Sequence, residues 1–216
     1  METYLFDTHV HTSESSYCGV MSAEETVRQY HAAGFSGLCI TDHYCASYGY
    51  TKINEVLKGY RRALKCGRKL GMDILLGVEL RLPGSLNDYL LFGVTESFLR
   101  NNPGLLELNP AEAYKLLHKN DILVFQAHPF RTMCSPADPR FLDGIEIANG
   151  NPRHNSHNDK AADYARKHKL FASAGSDCHQ IEDVAALGIR TTQRIRSMDM
   201  LKEVLVQNAF EVYEGK

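Results

Sequence analysis

His9 and His11 are separated by one residue in the largely apolar stretch Tyr4–His11. This stretch predicts a β-strand, on which side chains two positions apart point to the same face. The two imidazoles are therefore expected to lie side by side, in the arrangement that binds a metal ion such as Zn, Mn or Fe. A pair of polar residues on a solvated edge strand is the alternative.

Further acidic and imidazole side chains come where predicted strands end. They are Asp42, His43, Glu79, His128, Asp177 and His179. Glu79 closes an apolar run, and a carboxylate is costly to bury there unless it is paired or bound to a cation. Taken singly, Asp42 could be a helix N-cap and Glu79 could emerge into solvent. The convergence of all these side chains on strand ends predicts one shared metal site.

Two arginines are candidates for contact with an anionic substrate. Arg131 follows His128 and Pro129, and its forked guanidinium matches the geometry of a phosphate. Arg153 and His154 follow a later predicted strand and are further candidates for substrate binding, with a helix-start or surface position as the alternative for His154. A surface ion pair is the alternative for Arg131. The remaining histidines are interpreted as solvated or surface residues: His31, His118, His157 and His168.

Short apolar strands alternate with helical segments along the whole chain. The predicted strands are Tyr4–His11, Gly37–Thr41, Asp73–Leu80, Leu90–Val94, Ile122–Ala127, Gly144–Ala148 and Phe171–Ala174. The predicted helices run from Ser22 to Ala33, Ile53 to Leu70, Pro110 to His118, Asn158 to Lys167 and Met198 to Gln207. This alternation predicts an α/β fold with a parallel sheet. Candidate ligands at successive strand ends favour a closed barrel, with the site at its carboxyl end.

The composition is that of an ordinary globular protein, and residues 1–216 are expected to form a single domain. The net charge of −2 gives no basic field for duplex nucleic acid, but bound cations could still attract a small anionic substrate. The chain has no secretion signal and no membrane-length apolar run, so it is expected to be cytoplasmic. Its six cysteines are interpreted as reduced thiols, mostly packing residues.

The ordered motifs resemble those of the PHP superfamily, the polymerase and histidinol phosphatase domains. The matching segments are residues 7–12 (DTHVHT), 41–43 (TDH), 77–79 (GVE), 128–129 (HP) and 175–179 (GSDCH). The resemblance covers the chain from residue 7 to about residue 179. It implies a distorted (β/α)7 TIM-like barrel, two or three divalent metal ions (Zn, Mn or Fe) and hydrolysis of phosphate esters.

The resemblance also implies a distribution of ligands. His9, His11, Glu79 and Asp177 would hold one ion, and Glu79 would bridge to a second ion bound by His128. His43 and His179 would belong to a third. Many members have an acidic residue or His soon after the first motif, and Glu14 is the candidate here. Many also have a His on the strand after the Glu motif, where Asp88 is the candidate, and Asp42 is a further candidate ligand.

The implied activity is hydrolysis of a small phosphomonoester by metal-activated water, with histidinol phosphate, a nucleotide or a sugar phosphate as substrate. Arg131 would orient the phosphate, while Asp177 and His179 are the other candidate catalytic residues. An amidohydrolase-type enzyme, a nucleotide 3′–5′ exonuclease and a non-catalytic metal-binding module are the alternatives. The sequence leaves the substrate, the native metal and the oligomeric state open.

Overall fold

A computed structural model describes residues 2–46, 49 and 51–215 of the chain. Within these residues the strands form a single curved sheet. The strands are β1 (Tyr4–Val10), β2 (Gly37–Ile40), β3 (His43–Cys45), β4 (Asp73–Arg81), β5 (Asp88–Phe92), β6 (Leu123–Gln126), β7 (Gly144–Asn149), β8 (Phe171–Gly175), β9 (Leu187–Thr191) and β10 (Glu211–Glu214). Their order is β10-β9-β1-β2-β4-β5-β6-β7-β8, and β3 pairs with β4.

The sheet curls until its first strand meets the segment that follows β8. Val10 forms a parallel bridge with Cys178. The His11 amide donates to the Cys178 carbonyl at 2.9 Å, and the Cys178 amide donates to the His9 carbonyl at 3.3 Å. These bonds form the closing seam of a nearly closed barrel. The prediction of a distorted TIM-like α/β barrel is therefore confirmed.

The expectation of a parallel sheet is wrong in two places. Strand β5 runs antiparallel to both β4 and β6. Only residues 82–87 connect β4 to β5, which is too short for a crossover helix, so the chain must turn back on itself. Strands β9 and β10, which were not predicted, add an antiparallel extension beside β1. Strand β3 was also not predicted.

Helices cover the outside of the barrel. They are α1 (Ala23–Ala32), α2 (Ile53–Val56), α3 (Lys58–Leu70), α4 (Glu96–Asn101), α5 (Pro110–Lys119), α6 (Asn158–His168) and α7 (Met198–Val206), and three short 3₁₀ helices join them: Pro103–Glu107, Pro139–Phe141 and Ile181–Asp183. The predicted N-cap Ser22 accepts a hydrogen bond from the Glu25 amide. No helix among the described residues has the length and apolar character needed to cross a membrane.

The helix predicted from Ile53 to Leu70 is divided into α2 and α3. Ser15 causes this break, because its hydroxyl donates to the Glu55 carbonyl at 2.6 Å and accepts from the Gly59 amide at 2.9 Å. These two backbone groups would bond each other in a continuous helix, and an inserted side chain is a known cause of a kink. The start of α3 is therefore bonded to the loop that follows β1.

The interior of the barrel is apolar below the strand ends. One buried cluster takes side chains from β1, β2 and every strand from β4 to β9, and further side chains from α7. Phe6, Leu90, Phe92 and Phe125 are among its fully buried members. Because most of the barrel strands contribute buried residues, this cluster is a packed core that supports the polar residues at the strand ends.

Candidate metal centre

The metal ligands predicted from the motifs meet at the carboxyl end of the barrel. His9 and His11 extend from the end of β1, Glu79 from β4, His128 from the turn after β6, and Asp177 from the segment after β8. All of these side chains are buried. His43 is also buried at the start of β3, while His179 is partly exposed. The structure therefore brings together residues that are up to 170 positions apart in the chain.

Four of these side chains form an inner cluster, which consists of His9, His11, Glu79 and Asp177. The Nε2 atoms of His9 and His11 are 3.1 Å apart. Each lies 3.4 Å from a Glu79 carboxylate oxygen and 3.5 Å from Asp177 Oδ1. Ligands about 2.1 Å from one tetrahedral ion are about 3.4 Å apart. The spacing in the inner cluster fits one cation.

The hydrogen bonds of the two imidazoles turn their lone pairs into this cluster. His9 Nδ1 lies 2.9 Å from Glu146 Oε1, a pure acceptor, so Nδ1 carries the hydrogen. His11 Nδ1 lies 3.3 Å from Ser16 Oγ, which donates its own hydrogen to Asp42. In the neutral imidazoles, both Nε2 atoms then carry lone pairs that face each other and two carboxylates. Such a buried donor set is suited to a divalent cation.

The electrostatics of the inner cluster are dominated by burial and by close charges. Burial raises the pKa of Glu79, but His43 and His9 outweigh it and hold that pKa well below its ordinary value. Asp177 behaves in the same way, with His9 as the largest opposing influence, so its pKa is also well below normal. Both carboxylates are therefore ionised and available as ligands.

A second group, the lateral cluster, consists of Glu79, Asp88 and His128. His128 Nε2 lies 3.1 Å from Glu79 Oε1 and 3.9 Å from Asp88 Oδ2. The Arg81 guanidinium bonds both Asp88 oxygens, at 2.6 and 2.5 Å. Asp88 therefore lies in the position predicted for a replacement ligand. A cation bound by the lateral cluster would share the Asp88 carboxylate with Arg81.

A third group contains His11, His43 and His179, and Cys18 lies against it. Cys18 Sγ is 3.3 Å from His43 Nε2. Although burial raises the pKa of the Cys18 thiol, hydrogen bonds with His179 and His43 outweigh it and lower this pKa to about 7. We call Cys18, His43 and His179 the outer cluster. Cys18 is an exception to the interpretation of the cysteines as packing residues.

Two of the candidate ligands lie on backbone that ordinary residues seldom adopt. The φ angle is 53° at Asp177 and 29° at His128. Such conformations are costly and persist only when the surrounding structure imposes them, and they concentrate at functional sites. At Asp177 this turn places its carboxylate in the inner cluster, while two positions later His179 reaches the outer cluster.

The structure does not bring Asp42 or Glu14 into these clusters. The Asp42 carboxylate accepts from the Thr12 amide, the Thr12 hydroxyl and the Ser16 hydroxyl, each at 2.7 Å. It therefore fixes the loop after β1. Glu14 accepts from the Ala23 amide at 2.8 Å and from Arg62 at 3.2 Å, away from the strand ends.

A cavity of about 300 Å³ opens onto the clusters. Arg131 lines it and donates to Asp177 Oδ2 at 2.6 Å and to Asn149 Oδ1 at 2.9 Å. Its Nε is buried, and no atom of the described residues accepts from it. Arg153 also lines the cavity, but both of its terminal nitrogens bond the buried Asp183. His154 lies exposed at the cavity rim.

Two side chains that hold the candidate ligands in place, Glu146 and Asn149, were not predicted from the sequence. Besides its bond to His9, Glu146 accepts from the His128 amide at 2.9 Å and from the Asn149 amide group at 2.8 Å. Asn149 also donates to Asp177 at 3.3 Å. The signal for Glu146 was present, because an acidic residue interrupts the apolar strand Gly144–Ala148 just as Glu79 interrupts its own strand.

Comparison with solved structures supports the fold. A two-domain protein from Bacteroides vulgatus, described as containing a predicted PHP-like metal-dependent phosphoesterase, superposes with a TM-score of 0.72 at 19% identity and covers 99% of this chain. A lesion-specific endonuclease from Pyrococcus furiosus superposes with a TM-score of 0.71 at 14% identity over 98% of this chain. An amidohydrolase from Chromobacterium violaceum, solved with bound sulfate and no metal, gives 0.62 at 17% identity over 95%.

This chain spans 65% of the Bacteroides protein, 58% of the endonuclease and 97% of the amidohydrolase. No curated protein matches the sequence significantly. The PHP domain family matches residues 7–176, and a PHP-associated family matches residues 155–209. The first match contains nearly all the strands that form the barrel. It also contains every residue of the inner and lateral clusters except Asp177. The chain therefore belongs to the PHP domain family.

Proposed function

We propose that this protein is a metal-dependent phosphoesterase that hydrolyses a small phosphomonoester. The inner cluster carries the proposal, because two imidazole lone pairs and two ionised carboxylates meet at one buried point beside an open cavity. His9, His11, Glu79 and Asp177 would hold one cation, the lateral cluster a second, and His43 and His179 a third. Such cations lower the pKa of water and neutralise charge on a phosphoryl group.

The protein's own residues would orient the substrate and fix the ligands. Arg131 lines the cavity, its buried Nε has no acceptor among the described residues, and its fork matches two phosphate oxygens. Glu146 Oε1 holds the hydrogen of His9 on Nδ1, and so keeps the Nε2 lone pair directed at the cation. Burial of these groups excludes bulk water from the charges, which strengthens their interactions.

The cavity also favours a class of substrate. About 300 Å³ accommodates a small metabolite, and the arginines on its wall favour an anion. Histidinol phosphate, a nucleotide and a sugar phosphate all meet these conditions. The net charge of −2 gives no support to duplex DNA as substrate. We therefore propose a small phosphorylated metabolite as the natural substrate.

The test is a hydrolysis assay with the metal-depleted protein reloaded separately with Mn, Zn or Fe. Its substrates are p-nitrophenyl phosphate, its diester analogue, a panel of phosphorylated metabolites, and a set of amides and lactones. We expect phosphomonoesters to be preferred and His9→Ala to abolish the activity, while His31→Ala, which alters an exposed histidine on α1, keeps it. A preference for amides, lactones or diesters, or metal binding without any turnover, would refute the proposal.

A further inference from the structure

The outer cluster contains a sulfur atom, Cys18 Sγ, which lies outside all of the matching motifs. Cys18 follows His11 by seven positions and lies in a loop. Its Sγ is 3.3 Å from His43 Nε2, and the His179 ring also hydrogen-bonds the thiol. The thiol lines the cavity together with both imidazoles. The three side chains therefore form one contact group at the mouth of the barrel.

The other nitrogens of both imidazoles are engaged with acceptors. His43 Nδ1 lies 2.9 Å from Glu79 Oε2, and His179 Nδ1 lies 2.8 Å from the Asp177 carbonyl oxygen. Carboxylates and carbonyls only accept, so each Nδ1 carries a hydrogen, and in the neutral imidazole that binds a cation each Nε2 carries a lone pair. His43 Nε2 therefore faces Cys18 Sγ, and Nε2 is the nitrogen that His179 has left for a cation. A thiol has a single hydrogen, whereas a cation binds both nitrogens and the sulfur at once.

We propose that Cys18 is a thiolate ligand of a cation that His43 and His179 also bind. On binding, the Sγ–H bond breaks, a sulfur–metal bond forms, and the proton goes to solvent. The inference rests on the proposed function only in using the same metal centre. The resulting N,N,S donor set differs from those of the inner and lateral clusters, which use imidazole and carboxylate.

This donor set predicts a difference in metal preference within one protein. Thiolate is a soft ligand that selects Zn or Fe, while carboxylate-rich sites also accept Mn. We expect the outer cluster to take up Zn or Co readily and to bind Mn poorly. The inner and lateral clusters should accept all of these ions. A mixed-metal protein is the expected state when Zn and Mn are both present.

The test is Co²⁺ titration of the metal-depleted full chain to saturation, followed by near-ultraviolet absorption. A sulfur-to-cobalt charge-transfer band is expected in the wild type. Cys18→Ser should lose the band, and Cys18→Asp should lose it while keeping the cobalt content of the wild type. The matched control is Cys134→Ser, because Cys134 is also a partly exposed thiol, 4.0 Å from His128 Nδ1. This control should keep the band.

A second measurement uses the wild type alone and does not depend on how the variants fold. Bound Zn should slow alkylation of Cys18 by iodoacetamide by at least ~10-fold, as read by peptide mapping, and should leave Cys134 unchanged. Three results would overturn the inference. They are a cobalt-saturated wild type without the charge-transfer band, a band that survives in Cys18→Ser, and alkylation of Cys18 that bound Zn does not slow. A band in a protein without phosphatase activity would support the ligand and refute only the proposed function.

Discussion

The inner and outer clusters lie side by side but are built differently. The inner ligands extend from β1, β4 and the segment after β8, and their side chains are at most 2% exposed. Each inner imidazole bonds a second buried side chain, Glu146 for His9 and Ser16 for His11. The outer cluster takes Cys18 and His179 from loops, and both are partly exposed.

This difference predicts that cations bound at the two clusters would exchange at different rates. The ligands of the inner cluster are fixed by hydrogen bonds before any ion binds, so little ordering is needed on binding. The outer cluster depends on loop segments, whose positions are held by fewer buried contacts. We infer that the inner ion is retained and that the outer ion exchanges more easily with solvent.

The largest effect is expected from Asp177→Asn, which removes one charge from the inner cluster. Loss of a charge interaction worth several kcal/mol should lower kcat/KM by ~10³-fold. Asparagine tolerates the positive φ at this position, so the fold should persist. The measurement is steady-state phosphatase kinetics together with metal content. Asp163→Asn, on the exposed face of α6, is the control. A loss of kcat/KM below tenfold in Asp177→Asn would contradict the inner cluster as the reaction centre.

The next largest effect is expected from Glu146→Gln. The neutral amide no longer fixes the hydrogen of His9 on Nδ1, and partners of this kind are typically worth ~10–100-fold in metal affinity or activity. Competition with a coloured chelator measures the affinity directly. Glu211→Gln, at an exposed position of β10, should leave the affinity unchanged. An unchanged affinity in Glu146→Gln would show that the inner ligands need no such support.

The smallest effect separates the two clusters kinetically. On dilution into excess chelator, one cation should leave ~10-fold faster than the others, because its ligands lie partly on loops. In His43→Ala this fast phase should disappear while the slow phase remains. Stopped-flow detection of the released metal provides the measurement. A single uniform release rate for all cations would end the distinction between retained and exchangeable sites.

Much of this centre could be predicted from the sequence because its main ligands follow strict rules. The spacing of His9 and His11 fixes their common face, and Glu79 in an apolar strand requires a partner. Cys18 could not be assigned, because its position depends on the path of a loop. Asp42 shows the same limit, since only the structure reveals that its carboxylate bonds Thr12 and Ser16.

The fold was predictable to a similar degree. Apolar runs indicate buried strands, and the strands that contribute to the barrel core were all predicted except β9. The direction of each strand was harder to predict, because a strand buried on both faces has the same sequence pattern whether it runs parallel or antiparallel. Strand β5 is the example, and its direction follows from the short connection after β4. Strands β9 and β10 lie beyond the motifs that guided the interpretation.

The β-bridge between Val10 and Cys178 at the closing seam has a further consequence. The neighbouring residues on its two sides are candidate ligands, with His9 and His11 at the end of β1 and Asp177 and His179 on the other segment. A cation that binds both sides acts as a clamp, so its binding free energy opposes local opening of the barrel. Amide hydrogen exchange at His11 and Cys178 should therefore slow on metal loading, whereas exchange in the β9–β10 pair should not change.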